Sequence, residues 1–429
     1  MLVKIIWLVA TSSIIVSGVY FTFKLKFVQF RFIKMFKSLF IKNKNKNTIK
    51  PFESLMMVLA GRIGVGSIAG IAISIYYGGV GSIFWMWISS ILGASLTFIE
   101  TTLGMIYQQK DTKCICKGGP SYYIRYGLNN KILGNIYAII IIISDIVGFI
   151  SIQTNTITHS IQEIVNIDSK IIGIILSILV IVIIIGGTKR IASFSSKMVP
   201  IMTILYLFVC LVIIVINITK LPNIFITIIK SAFEFKAIRG GILGSVVIGI
   251  QRGIFSSEAG IGTGAIAASA TQANTKEEKI AQGYTQMLGV YITTFFICTA
   301  TALILLTTDI ENMNFKNFNG IELVQITFTK HLGNIGNYFI FLIIFLFAFT
   351  TILSSYYNGE SSLKYFIETP KKSLMLLKVF TCFSIMFGAI SNSNIIWRFI
   401  DVFVGMLAII NIYSLIKLKD NIINTLNLR

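Results

Sequence analysis

Apolar runs of about 20 residues recur along the whole chain, and that recurrence constrains the fold more than any single motif. At about 1.5 Å rise per residue such a run crosses the roughly 30 Å hydrocarbon layer as a helix, which satisfies every backbone N–H and C=O internally. Eleven runs are expected to span: 5–23, 52–77, 82–107, 133–160, 171–187, 196–217, 239–270, 281–307, 334–357, 374–390 and 394–416. With 55% hydrophobic and only 13% charged residues, the chain has too little polar surface to cover a soluble globule. The expected class is an all-α polytopic membrane protein. Residues 5–23 are long for a signal peptide, are followed by Lys24 and Lys26, and lack a small-residue cleavage site, so the run reads as a retained span.

The net charge of +20 does not indicate nucleic acid, because the basic residues sit in short loops between apolar runs rather than on a soluble domain. They set topology instead. With the N-terminus outside, 26 of the 37 Lys and Arg fall in inner loops and the tail, against eight in outer segments. The expected placement is a multi-pass protein of the inner or plasma membrane, N-terminus out and C-terminus cytoplasmic. Arg62, Arg252 and Arg398 lie within or at the edges of spans, as do Glu100, Asp145, Glu258 and Asp401. Charges there must be paired, neutralised or wet. Three of the five cysteines are inside apolar runs, which argues against a disulfide framework; Cys114-Ile-Cys116, with two histidines in the chain, makes a poor metal site.

Two runs are interrupted by glycine and polar residues, Gly61-Arg-Ile-Gly-Val-Gly-Ser-Ile-Ala-Gly70 and Ser256-Ser-Glu-Ala-Gly-Ile-Gly-Thr-Gly264. With the first span set aside, these runs are first and sixth of ten. The chain then divides into an N-terminal helix and basic linker (1–51), five spans (52–217), an outer connector (218–238), five more spans (239–416) and a tail (417–429). Five is odd, so the halves have opposite orientation. A broken helix opening each inverted half is the arrangement in which a midplane site forms between half-helix ends. Taken alone, Gly66 and Gly70 would equally serve as a small-residue packing face.

At these residues the sequence resembles the alanine or glycine:cation symporter family, whose motifs run G-T-G-N-I-A-G, G-G-P-G-x-I-F-W-M-W and F-S-N-E-A-G-x-G. Here they read Gly64-Val-Gly-Ser-Ile-Ala-Gly70, Gly78-Gly-Val-Gly-Ser-Ile-Phe-Trp-Met-Trp87 and Phe255-Ser-Ser-Glu-Ala-Gly-Ile-Gly262. Further family-like stretches include Gly118-Gly-Pro-Ser-Tyr-Tyr123, Gln153 with Asn155, Phe347-Ala-Phe-Thr-Thr-Ile-Leu353, and Trp397 to Asp401. The resemblance implies a LeuT-type 5+5 inverted repeat with one added N-terminal helix. It also implies uptake of small neutral amino acids such as alanine or glycine, coupled to sodium or in some members to protons, with no other cofactor.

A zwitterionic amino acid needs donors for its carboxylate and acceptors for its ammonium, and an interrupted helix exposes both. The carboxylate is assigned to the Gly64–Val65–Gly66–Ser67–Ile68 stretch, chiefly the N–H groups of Gly66, Ser67 and Ile68. The ammonium is assigned to carbonyls around Phe255, Ser256 and Ser257, beside Glu258, and by resemblance to the amide of Gln153. An interhelical hydrogen bond is the plainer role for Gln153, and packing for Phe255. A cation would take the carbonyl of Phe347 with the hydroxyls of Thr350 and Thr351, on one helical face, completed by carbonyls at Ile63 and Gly64. Those hydroxyls can instead back-bond to their own helix.

The chain departs from the family at Val65, Ser67 and Ser257, where threonine, asparagine and asparagine are usual, and at Ser354-Ser355, where Gly-Trp is usual. The losses thin the polar ligands, and losing a ring near Ser355 suggests a pocket open to bulkier side chains. The rival readings are an amino-acid sensor of transporter fold, a proton-coupled carrier, a channel and a membrane enzyme. No nucleophile with a neighbouring base supports the last.

Overall fold

The structure is a computed structural model that describes residues 2–41, 49–110, 116–234, 241–308, 320–367 and 371–426. Their regular structure is helical apart from one two-residue antiparallel pairing, Gln109–Lys110 with Cys116–Lys117, with turns and short connections between the helices. Cys114 lies outside the described residues.

The main helices are α1 (Leu2–Lys24), α2 (Pro51–Arg62), α3 (Ala69–Gly78), α4 (Ser82–Ile106), α5 (Lys131–Gln162), α6 (Ser169–Ile184), α7 (Gly187–Ile216), α8 (Leu221–Phe233), α9 (Gly241–Ser257), α10 (Thr263–Ala268), α11 (Lys276–Thr307), α12 (Gly320–Leu332), α13 (Asn334–Phe366), α14 (Lys371–Ile390) and α15 (Ser393–Lys417). Every expected run coincides with one of these or, at 52–77 and 239–270, with two half-helices. Among the described residues eight are long and apolar enough to cross a membrane: α1, α4, α5, α7, α11, α13, α14 and α15; α3 and α6 are shorter apolar helices.

Local chemistry sets the starts. Pro51 opens α2, where its missing N–H costs nothing, and Glu53 reaches back to the Lys50 N–H at 2.9 Å. Asn130, Thr275 and Asn392 cap α5, α11 and α15 by accepting from the N–H groups of Leu133, Glu278 and Asn394. Polarity is arranged as lipid requires. Ile204, Phe208 and Leu211 of α7 face outward, while Ser, Thr, Gln and Asn side chains fill the interior around the breaks.

Helices α5 and α11 each contain a π-turn, at Ile143–Phe149 and Ile292–Cys298. Such a turn shifts the helical register locally and is often found at functional sites. The segments between the long runs are also partly ordered. Helix α8, in the stretch assigned as a connector, buries Ile224, Ile228 and Ala232 along one face. Helix α12 lies against α3 and α13.

Candidate functional site

The first interruption lies between α2 and α3. Ile63 (φ −88°, ψ 72°) and Gly64 (φ −122°, ψ −161°) leave the helix, and Val65–Ser67 form one 3-10 turn. The Ser67 and Ile68 N–H groups close that turn on the carbonyls of Gly64 and Val65, at 3.0 and 3.1 Å. The Val65 N–H points across the bundle and donates to Oε1 of Gln153 at 3.1 Å. A Cβ on Gly64 would sit 2.5 Å from Thr351 Oγ1 and 3.1 Å from Gln153 Nε2, so the bare backbone of Gly64 is what lets these two side chains converge.

The second interruption separates α9 from α10. Glu258 is left-handed (φ 52°), a conformation that costs a residue with a Cβ about 1–2 kcal/mol, and Gly260 and Gly262 are also at positive φ. Side chains hold this segment in place of helical bonds. Asn411 Nδ2 donates to the Gly260 carbonyl at 2.9 Å and to Glu100 Oε2 at 2.8 Å, while Asn411 Oδ1 accepts from the Tyr123 hydroxyl. The Tyr137 hydroxyl donates to the Ile261 carbonyl, and Thr263 Oγ1 to Glu258 Oε2 at 2.5 Å.

The two interruptions touch. Ser67 Oγ and Ser256 Oγ are 2.8 Å apart, Ser67 Oγ also donates to the Arg62 carbonyl at 3.1 Å, and Thr301 Oγ1 donates to the Ser67 carbonyl at 3.0 Å. The Phe255 ring covers Gly66, where a Cβ would lie 2.8 Å from Cδ1. That ring stacks on Phe149 with centroids 5.1 Å apart and packs on Trp397 at 5.0 Å. Above Trp397 sits the Arg252 guanidinium, 4.8 Å from the ring centroid and paired with Asp401 at 2.8 Å. Trp7 of α1 donates to the Asp401 carbonyl at 2.9 Å.

An oxygen cluster lies on the other side of Gly64. Thr351 Oγ1 is 2.9 Å from the Phe347 carbonyl and 2.8 Å from the Ala60 carbonyl; Thr350 Oγ1 is 3.0 Å from the Phe347 carbonyl and 3.7 Å from Met202 Sδ. Ala60 is absent from the sequence assignment, since a ligand that is only a carbonyl leaves no trace in residue type. The structure thus brings together Gly64, Val65, Gly66, Ser67, Gln153, Phe255, Ser256, Phe347 and Thr351.

Other candidates stand further off. Ser257 Oγ accepts from the Ala259 N–H at 3.4 Å, and Ser355 lies beside Asp145. Arg62 forms no ion pair with Glu258 among the described residues; its Nη1 donates to the Gln286 carbonyl at 2.9 Å, although Glu258 and Glu100 are the acids that act on it. Asn155 ties α5 to α14 through the Gly388 and Ser391 carbonyls. A separate cleft of about 420 Å³, lined by Glu163, Glu322, Gln325 and Lys330, opens at the ends of α5 and α12 away from both interruptions. No group of three His, Cys, Asp or Glu able to hold a metal occurs among the described residues.

The family model described as the sodium:alanine symporter family matches residues 1–428. The chain is 36% identical over 413 residues to a probable sodium/glutamine symporter, GlnT, of Bacillus subtilis, covering 95% of this chain and 85% of that one. It is 30% identical to the sodium/alanine symporter AgcS of Methanococcus maripaludis, covering 95% and 91%. Among solved structures, a substrate-bound outward-open Na+-coupled sialic acid symporter matches with a TM-score of 0.52 at 15% identity, over 91% of this chain and 81% of that one. That last likeness concerns the fold alone.

Proposed function

The chain belongs to the sodium:alanine symporter family, and from that premise we propose that it is a secondary symporter taking up a small neutral amino acid with sodium by alternating access. The eight long apolar helices among the described residues make it a multi-pass membrane protein. In our reading the spans form two inverted five-helix halves (52–217 and 239–416) behind one N-terminal helix, with the N-terminus outside and the C-terminus cytoplasmic.

One observation carries the reading. The first interruption, Ile63–Ile68, is joined through Ser67 to Ser256 at the end of α9, and Gln153 and the Ala60–Phe347–Thr351 oxygens converge on it at Gly64. Backbone N–H groups at the start of α3 suit a carboxylate, carbonyls at the end of α9 suit an ammonium, and the oxygen cluster suits a bare alkali cation. Substrate would enter by displacing Phe255 from Gly66 and opening the 3-10 turn, whose Ser67 and Ile68 donors are engaged in this conformation. The Arg252–Asp401 pair and its aromatic stack would form the outer gate over that site. The names of the relatives frame the substrate between alanine and glutamine.

Uptake of labelled alanine, glycine and glutamine into proteoliposomes tests this under an inward sodium gradient, a proton gradient or neither. Sodium-driven accumulation supports the proposal; binding without accumulation supports a sensor, and accumulation on protons alone a proton carrier.

A further inference from the structure

Five acids are buried among the described residues, and four of them have a basic group acting on them. Asp401 pairs with Arg252, Glu360 with Lys364, and Glu258 and Glu100 lie in the field of Arg62. Asp145 is the exception. It is 2% exposed and forms no ion pair among the described residues. The charged group that acts on it is Glu258, another acid.

Its neighbours are neutral and oxygen-rich. Asn358 Nδ2 donates to Oδ1 at 3.0 Å and Ser144 Oγ to Oδ2 at 3.3 Å, and the Ser355 side chain, one turn before Asn358 on α13, lies close enough to act on the carboxylate. Such bonds satisfy lone pairs but supply no countercharge, so the ionised carboxylate needs a cation beside it in the membrane interior. The buried Oδ1 of Asn358 has no partner, so turning that amide would bring an oxygen to the carboxylate and free its nitrogen from it. Asp145 sits in the π-turn of α5, which sets it against α13.

Resting on the symport reading above, we propose that Asp145, Ser144, Ser355 and Asn358 form a second sodium site. A single carboxylate with two hydroxyls and an amide oxygen matches a monovalent hard cation in both charge and ligand type. The site is also placed in series with the first. Thr351, Ser355 and Asn358 follow at i, i+4 and i+7 on α13, which puts Asn358 roughly 10 Å further along the axis from Thr351. On α5, Asp145 stands about two turns before Gln153. With the N-terminus outside, that direction is inward, so the second ion lies between the first site and the cytoplasm. Each neutral amino acid then enters with two sodium ions and two net charges.

The test is radiolabelled sodium-to-amino-acid stoichiometry and the sodium dependence of uptake in proteoliposomes, for wild type, Asp145→Asn and Ser355→Ala. The expected result is a ratio near two with a Hill coefficient approaching two in wild type, and about one for both in Asp145→Asn. Ser355→Ala should raise the sodium half-saturation roughly threefold to tenfold at unchanged stoichiometry. Sodium-driven uptake at a wild-type ratio of one overturns this site and leaves the symport reading intact, a result that does not depend on any variant folding. Absence of sodium-driven uptake removes the symport reading itself. Proton-driven uptake without sodium, lost in Asp145→Asn, makes Asp145 a proton carrier and also overturns the proposal.

Discussion

Gly64 and Gly66 are two residues apart in one interruption, yet adding a methyl group to each should damage different halves of the transport cycle. At Gly64 the new Cβ would lie 2.5 Å from Thr351 Oγ1, and at Gly66 2.8 Å from Phe255 Cδ1. Neither backbone needs glycine for its dihedrals at Gly64, where φ is −122°, so the cost there is steric. Thr351 Oγ1 must retreat by about half an ångström or more, and its bonds to the Ala60 and Phe347 carbonyls hold it in place. Rotating Thr351 away removes one oxygen from the proposed cation cluster, a loss of about 1–3 kcal/mol, or roughly fivefold to 150-fold in sodium half-saturation. Substrate KM at saturating sodium should change less than sodium half-saturation does, because Phe255 keeps its place and Gln153, 3.1 Å from the new Cβ, need give only a few tenths of an ångström. Gly66→Ala should do the reverse, since the Phe255 ring is displaced while Thr351 is untouched. The assay is initial-rate uptake over a grid of sodium and amino-acid concentrations, with a thermal-stability scan confirming that both variants fold. If both variants shift sodium and substrate dependence alike, the division of the site at Gly64 is wrong.

Gln153→Ala leaves the Val65 N–H without its acceptor, so amino-acid affinity should fall about tenfold or more in equilibrium binding; Gln153→Asn, one methylene shorter, should not restore it. Asp401→Asn strands a buried guanidinium and should cost about 3–5 kcal/mol in SDS unfolding, whereas Arg252→Met with Asp401→Leu should regain most of that while leaving the proposed outer gate leaky to substrate. Equal losses in the single and double variants would refute the pairing argument. His331 of α12, outside the spans, bonds Thr307 Oγ1 at 3.0 Å; burial first, then Lys220 and Lys330, holds its pKa below the ordinary value of about 6.5. The folded protein therefore favours the neutral ring. Its contribution to stability is complete above that ordinary value and fades as the pH falls from there through the lowered one, so the protection factors of α12, corrected for the intrinsic exchange rate at each pH, should fall from pH 7.5 to about 5.5, and His331→Gln should flatten the effect.

The span pattern was legible because lipid imposes a length and a polarity that single residues cannot disguise, and the interruptions because Gly61–Gly70 and Ser256–Gly264 combine backbone freedom with polar side chains. What stayed hidden depends on pairings far apart in sequence. Arg252 and Asp401 each stood out as expensive charges, but nothing local says that they meet across 149 positions. Ala60 supplies a carbonyl, which every residue has. Helix α8 was readable in principle, since Ile224, Ile228 and Ala232 recur at helical spacing, but it is too short to register as a span. Asn155, noted only as part of a family-like stretch, is a strut to α14, a role hidden because sequence shows an amide without showing which way it faces.

The geometry around Gly64 also bears on how ion and substrate could be coupled without a long pathway. Its neighbour Val65 is held by Gln153, on the proposed substrate side, and Gly64 itself packs on Thr351, on the proposed sodium side. A cation drawing Thr351 and the Ala60 carbonyl together fixes the end of α2 and with it the direction of the next peptide planes, which carry the donors for a carboxylate. Either ligand therefore orders backbone that the other needs. By linkage the effect must be mutual: whatever factor sodium adds to amino-acid affinity, the amino acid adds to sodium affinity. The Ser67–Ser256 bond extends this ordering to the second interruption, where Glu258 sits in a left-handed conformation held by its N–H on the Ile254 carbonyl and by its side chain on Thr263. Ser256→Ala should accordingly lower the mutual factor measured by binding each ligand with and without the other, while leaving the affinity of sodium alone nearly unchanged. Loss of sodium affinity in the absence of amino acid would show instead that the second interruption supports the ion site directly, and that the two halves couple through packing.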